Sequence, residues 1–195
     1  TIHDLIFIRY PHLFSTIDRK IYLKKFKSAC ERADKIIAIS QQTKQDIIDF
    51  LEIPESKITV VYQGCNNIFQ KPIAESKKEE TLKKHNIPTE YLLNVGSIEE
   101  RKNLLTLLQA LKELPNQKLV VIGNGKSYKI KCLRYIKEHN LSGRVMFLSN
   151  LTLEEMAVIY QSAQLMIYPS IFEGFGIPIL ESLFSKTPVI TSKGG

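Results

Sequence analysis

The sequence predicts an α/β fold built from parallel sheets, and three observations predict it. Short apolar runs alternate with helical patterns twice along the 195 residues, once before residue 70 and again from Tyr91. A charged segment, residues 71–88, separates the two alternations. The apolar run Leu165–Tyr168 then passes through Pro169 and Ser170 into a loop holding Gly174 and Gly176, and on into an apolar helical pattern with Pro178 in its first turn. Such regular alternation argues for parallel, doubly wound sheets with right-handed crossovers. In sheets of that kind, ligands sit beyond the carboxyl ends of the strands.

Thr1–Asp4 reads as the end of a strand, and Leu5–Phe14 is apolar and aromatic with no clean period. Ser15 with Asp18 opens a helix expected to run to Ala33. Lys35–Ile39 is a strand, and Ser40 caps a helix carrying Ile47, Ile48 and Leu51 that Pro54 closes. Lys57–Tyr62 is a second strand, with Gln63-Gly64 turning out of it. Residues 1–70 are therefore expected to end one parallel sheet, and 71–88 to be an interdomain linker with a short helix. Residues 89–195 form the second domain. Its strands are expected near 91–95, 118–122, 144–148, 164–168 and 187–191, and its helices near 103–114, 126–139, 152–163 and 177–185. Thr152 and Glu155 have capping-box spacing for the third of these helices. Both ends of the chain fall inside elements, so the chain is expected to be a fragment of a longer protein.

Composition is that of a globular protein, with the length of one to two domains. Cys30, Cys65 and Cys132 are scattered, which argues for a reducing, cytoplasmic setting and against a zinc site. His3, His12, His85 and His139 show no metal-ligand spacing either. No apolar run approaches the ~20 residues of a membrane span. The formal charge of +7 permits nucleotide phosphates, an anionic membrane face or nucleic acid as partners. The last is disfavoured, because the basic residues are dispersed with no aromatic interleaving.

The loops that follow the strands carry the candidate chemistry. In 96–103 a glycine, Gly96, follows the strand, and Arg101 and Lys102 precede a helix. These cations suit a pyrophosphate, or they form an ordinary charged helix cap. Loop 123–127 is Gly123-Asn124-Gly125-Lys126-Ser127. A Walker A loop would need glycine where Val120 stands, and a dinucleotide fingerprint would need it where Tyr128 stands, so a tight strand-to-helix turn is expected. In 169–176, Gly174 and Gly176 let backbone N–H groups approach a ligand at a helix N-terminus, an anion site. Glu173 and Glu181 bracket this loop with seven residues between them. The helix at 177–185 reads as buried nearly all round, and Glu181 is its only acid. A buried carboxylate needs donors. A ligand diol could supply them, or Glu181 could cap a neighbouring loop of the protein itself.

The pattern Glu-Gly-Phe-Gly-x-Pro-x-x-Glu, after Tyr-Pro-Ser and before Thr-Pro-Val-Ile, resembles retaining glycosyltransferases of family 4, the glycosyl transferases group 1. Other stretches agree in the same order over most of the chain. Ala-Asp-x-Ile-Ile-Ala-Ile-Ser and Lys-Ile-Thr-Val-Val-Tyr-Gln-Gly look like the last part of that family's N-terminal domain, with Gln63 where the family usually has Asn. Val-Gly-x-x-x-x-Arg-Lys-Asn-Leu looks like its diphosphate-binding loop, with Ser97 where many relatives carry Arg. His3-Asp4 resembles the His-Asp pair of members that include mannosyltransferases.

The resemblance implies two facing Rossmann-like domains of the GT-B type. It implies transfer of a sugar from a nucleoside-diphosphate (NDP) sugar to a glycan or lipid-linked acceptor, with anomeric configuration kept and no metal or other cofactor required. Cell-surface polysaccharide synthesis, mannose as the sugar, and peripheral contact with the inner membrane surface are the expected setting. Lys102 and Arg101 would hold the diphosphate, and Gly96 and Gly123 would lie at the nucleotide. Glu181 would hold the ribose hydroxyls. Glu173 would face the reacting carbon, with Gly174, Phe175 and Gly176 offering backbone donors, and His3 would face the donor sugar. The 195-residue chain alone is expected to transfer no sugar. Two other readings stay open at this point. One is a non-catalytic nucleotide-binding fragment, and the other an NDP-sugar epimerase of the same fold.

Overall fold

The computed structural model describes residues 1–193. The described chain divides into two compact units. The first is Thr1–Gly64 with Glu173–Phe175, and the second is Cys65–Phe172 with the described residues from Gly176 on. The expected strand at 187–191 is seen as a shorter one, whereas the loop expected over 192–195 lies partly outside the described residues.

In the first unit, β1 (Ile36–Ala38) and β2 (Ile58–Val60) pair in parallel, with Ile36 opposite Ile58. The expected strand end at the start of the chain appears as one parallel bridge between Ile2 and Ala38. Residues 5–14, which lack a period, form one helical turn, α1 (Ile6–Arg9), and a 3-10 turn at Pro11–Leu13. These turns bring the Phe7 ring against Phe14, Tyr22 and Phe26. Helix α2 (Thr16–Arg32) starts where Ser15 accepts the Asp18 N–H, and α3 (Gln41–Leu51) where Ser40 accepts the Thr43 N–H. A side-chain oxygen there satisfies a donor that the first turn leaves without a partner. Leu5, Cys30, Ile36, Ala38, Ile47, Leu51 and Ile58 form the core of this unit.

The second unit holds a five-stranded parallel sheet: β3 (Leu92–Val95), β4 (Leu119–Ile122), β5 (Val145–Leu148), β6 (Leu165–Tyr168) and β7 (Val189–Thr191). Their order in the sheet is β5-β4-β3-β6-β7. Helices α4 (Glu75–Lys84), α5 (Leu104–Lys112), α6 (Ser127–Glu138), α7 (Leu153–Ser162) and α8 (Ile177–Phe184) complete it. Successive strand residues face opposite sides of a sheet, and two cores result. Leu93, Val95, Val120 and Ile122 pack with Ala157, Ile159 and Tyr160 of α7. Leu92, Leu119 and Val121 pack with Leu104, Leu107 and Leu108 of α5 and Cys132 and Ile136 of α6. Covered on both faces, β4 is continuously apolar, and β3 is so apart from Asn94. The chain runs outward from β3 through β4 to β5, then returns to β6 on the other side of β3. The switch point, where a crevice opens in such sheets, therefore lies between β3 and β6.

Three expectations are corrected. The chain divides at Gly64/Cys65, and 71–88, expected as an interdomain linker with a short helix, holds that helix as α4 but belongs to the second unit. Phe69 and Ile87 are buried in the same core as α7, and both Lys84 and His85 contact Glu155. Second, Glu173–Phe175 group with the first unit rather than with the strand and helix that flank them in sequence. Third, α8 is not buried all round. Leu183 is 54% exposed, and Ser182 is its one fully buried residue. Its neighbour β7 is the edge strand, so no further strand among the described residues covers that side.

Candidate functional site

The site in the second unit is built at the carboxyl ends of β3, β4 and β6. The β3–β6 ladder pairs only Leu92 with Leu165 and Leu93 with Met166, so the two strands part before their ends. Asn94, buried in β3, donates its side-chain amide to the Ile167 carbonyl at 2.8 Å and fills that break. Past β3 the chain turns at Gly96, whose φ of +141° favours glycine. A Cβ there would lie 3.6 Å from Lys102 Cε, so Gly96 forms the floor under the lysine side chain. Lys102 closes a 3-10 turn (Glu100–Lys102) and donates to the Tyr168 hydroxyl at 2.7 Å. Its ammonium also lies 5.0 Å from the centroid of that ring.

Arg101 is engaged with the protein. Its guanidinium donates to the Phe172 carbonyl at 2.6 Å and to Glu99 Oε1 at 2.8 Å. The Ile171 N–H donates to the Arg101 carbonyl at 2.9 Å. The loops after β3 and β6 are thus tied together. Gly123 has φ +156°, and a Cβ on it would collide with the Gly96 carbonyl oxygen. It permits close approach of two loops, which the Ile98 N–H bond to the Asn124 carbonyl seals at 2.7 Å.

After β6 the chain reaches Gly176, the N-cap of α8, with φ +89°. Pro178 in the first turn lacks the N–H that would go unpaired there. Glu181 lies one turn further, half-buried, and accepts the Tyr160 hydroxyl on Oε2 at 2.7 Å. Burial pushes the Glu181 carboxyl up, and the Tyr160 hydrogen bond opposes that. Cys65 lies close enough to Glu181 for the carboxylate to help raise its thiol.

The remaining expected residues group in the first unit. His3 is exposed, its Nδ1 3.4 Å from Gln63 Nε2. Its carbonyl accepts the Thr43 hydroxyl at 3.1 Å. Gly174 is buried against it, and a Cβ at Gly174 would strike the His3 carbonyl oxygen. Phe175 sets its ring 6.1 Å from that of Tyr62. Glu173, half-buried, immediately precedes these residues.

Three polar groups of the site escape sequence reading: Asn94, Tyr160 and Tyr168. A polar side chain at the carboxyl end of an apolar strand is the signal that could have found Asn94 and Tyr168. Nothing local marks Tyr160. No helix among the described residues is long and apolar enough to cross a membrane.

The profile of the glycosyl transferases group 1 matches residues 77–195, and that of Glycosyltransferase Family 4 matches residues 1–67. The O-antigen chain mannosyltransferase RfbU of Salmonella typhimurium is 27% identical over 98% of this chain and 51% of its own length. The serotype-specific mannosyltransferase WbdA of Escherichia coli is 29% identical over 93% of this chain and 23% of its own length. The chain thus spans about half the length, or less, of these curated relatives. Among solved structures, Anabaena HepE in complex with UDP and glucose superposes with a TM-score of 0.83 at 20% identity, over all of this chain and 52% of that one. WaaG, a glycosyltransferase involved in lipopolysaccharide biosynthesis, gives 0.74 at 20% identity over 98% of this chain and 55% of that one. These likenesses establish an α/β fold of parallel sheets of the GT-B type.

Proposed function

The chain belongs to the glycosyl transferases group 1 family, and from that premise we propose that it carries the donor site of a retaining glycosyltransferase. The whole protein moves a sugar from an NDP-sugar to a glycan or lipid-linked acceptor, as in cell-surface polysaccharide synthesis. Mannose is the proposed sugar, because relatives matched over most of this chain are named mannosyltransferases, two of them O-antigen chain mannosyltransferases. The observation that carries the reading is the Lys102 ammonium held over Gly96 at the mouth of the β3–β6 crevice. A compact cation there suits the diphosphate of a nucleotide lying beyond the strand ends.

The residue roles are those the family resemblance implies, each set beside the chemistry of its side chain. Lys102 meets the diphosphate and Arg101 adds its charge while fixing the loop. The N-terminal end of α8, opened by Gly176, contributes its partial positive charge. When the bond from the anomeric carbon to the diphosphate breaks, negative charge grows on the leaving oxygen, and these fixed groups stabilise it without a metal ion. Glu181 accepts from the ribose hydroxyls. Glu173 is assigned to the sugar, where positive charge develops, and His3 to the sugar hydroxyls. Gly174 and Phe175 are assigned as backbone donors, and Gly123 gives the nucleotide loop its shape. The exposed lysines of α2 (Lys20, Lys24, Lys25 and Lys27) support peripheral contact with an anionic membrane carrying the acceptor.

Incubating the whole protein with labelled GDP-mannose or UDP-glucose and a lipid-linked saccharide tests this reading. Label in the extended acceptor, lost in Lys102→Ala, is the expected result. Release of free sugar without any acceptor would replace it with the epimerase reading. Nucleotide binding with no transfer to any acceptor would leave a binding module.

A further inference from the structure

We infer that Tyr160 is a positioning residue for the donor, its hydroxyl fixing the Glu181 carboxylate so that the second carboxylate oxygen stays available to a ribose diol. The inference rests on the assignment of Glu181 to the ribose. Tyr160 has no exposed surface. Its ring meets Phe69 edge-on, with centroids 5.4 Å apart at 87°, and its carbonyl accepts the Thr187 hydroxyl. Helix, ring and hydroxyl are therefore fixed before any ligand arrives. The hydroxyl donates to Glu181 Oε2 at 2.7 Å, and no other hydrogen bond reaches that carboxylate among the described residues. An ionised carboxylate has about four lone-pair sites, so one bond from Tyr160 orients it and leaves acceptors for two adjacent hydroxyls. A long acidic side chain otherwise loses rotamer freedom on binding, and a locked second residue removes that cost in advance.

A purely structural role would give the same contact, because a buried tyrosine hydroxyl needs an acceptor. The two roles separate by titration of UDP, GDP and ADP into the whole protein, followed by a double-mutant cycle on whichever binds most tightly. Tyr160→Phe keeps the ring and its packing, and thermal melts confirm that the variant folds. Tyr160→Phe should weaken the nucleotide about fivefold, the range of one hydrogen bond, and should add nothing in a Glu181→Ala background. A second readout is pH. The groups facing Glu181 are Tyr160 and the Cys65 thiol, with Tyr168 next to Tyr160. Without the hydroxyl, burial acts on Glu181 unopposed, and the acid limb of the binding profile should move to higher pH. If Glu181→Ala weakens binding while Tyr160→Phe neither weakens it nor moves the limb, the positioning role is overturned and the ribose assignment survives. An equal loss from Tyr160→Phe in both backgrounds also overturns it. If Glu181→Ala binds like wild type, the ribose assignment falls and this inference with it.

Discussion

Lys102 in the loop after β3 and Tyr168 at the last position of β6 are joined by a 2.7 Å hydrogen bond across the point where their strands part. Two adjacent parallel strands that stop pairing leave a gap between their ends. Here the Asn94 amide bridges the inner part of that gap, and the lysine–tyrosine pair spans its mouth. The hydroxyl and the Gly96 floor help to place the ammonium at that mouth.

Lys102→Ala should therefore weaken binding of a nucleoside diphosphate by roughly 10- to 100-fold, the worth of hydrogen bonds to a charged group. Tyr168→Phe keeps the cation and removes one hydrogen bond from its arm, and a loss of only two- to fivefold is expected. Calorimetric titration at two salt concentrations checks both. The salt dependence should diminish in Lys102→Ala and persist in Tyr168→Phe.

Gly123→Ala should destabilise the second unit by about 1–3 kcal/mol, because its positive φ and its contact with the Gly96 carbonyl both exclude a side chain. Gly143→Ala is the control, since nothing lies within 4 Å of a Cβ there. Thermal melts of the two variants decide it. Equal melting temperatures would show that the Gly96–Gly123 approach carries no stability.

The strands of the second sheet were legible because each is a short apolar run bounded by turn residues, and their parallel order followed from the helices between them. The loops with Gly96, Lys102 and Gly176 were legible for the same reason, since each directly follows a strand. Pairings between distant segments were not. Residues 71–88 read as a linker because their composition is charged, yet Lys84 and His85 meet Glu155 far along the chain. The partner of Glu181 is a tyrosine on a different helix, and no local pattern announces it. Helix α8 read as buried nearly all round because most of its residues are apolar, but burial depends on the elements beside it, and β7 is at the sheet edge.

Glu155 should contribute to acid sensitivity. Lys84 first, then the Thr152 N–H and His85, hold its carboxyl well below the ordinary 4.5, at about 2. A depressed carboxylate stabilises the fold above its unfolded pKa, and that stabilisation is lost as pH falls through the folded value. Stability should therefore drop between about pH 4.5 and 2. Glu155→Gln should cost roughly 1 kcal/mol at pH 7, after allowance for solvent screening, and should flatten this acid limb. Urea midpoints across that range measure it, and a limb unchanged in the variant would remove Glu155 as a cause.

Asp46 of α3 is buried and pairs with Arg9 of α1, with Gln42 as a further donor at 2.7 Å. Deleting the cation leaves a buried charge with one neutral donor, whereas deleting the acid leaves a partly exposed arginine that water can reach. Arg9→Ala should cost about 2–3 kcal/mol and Asp46→Ala about 1–2 kcal/mol. Chemical denaturation of the two variants tests the order, and the reverse ranking would refute the argument.

The two acids that bracket the α8 opening should separate kinetically. Contacts to ribose hydroxyls are alike in the ground and transition states, so Glu181→Ala should raise the donor KM with little change in kcat. Charge develops at the anomeric carbon only as the diphosphate leaves, so Glu173→Ala should lower kcat by roughly a hundredfold or more. The position of Glu181 supports the split: it is set back one turn inside α8 and held by Tyr160. Glu173 lies ahead of the Gly176 cap, grouped with the unit that contains His3. EDTA should leave both wild-type parameters unchanged if Lys102, Arg101 and the end of α8 serve the departing diphosphate as proposed. Steady-state kinetics on the whole protein decides the matter. A normal kcat in Glu173→Ala would move the catalytic role elsewhere, and turnover abolished by EDTA and restored by Mg²⁺ would show that a cation does what is assigned here to Lys102.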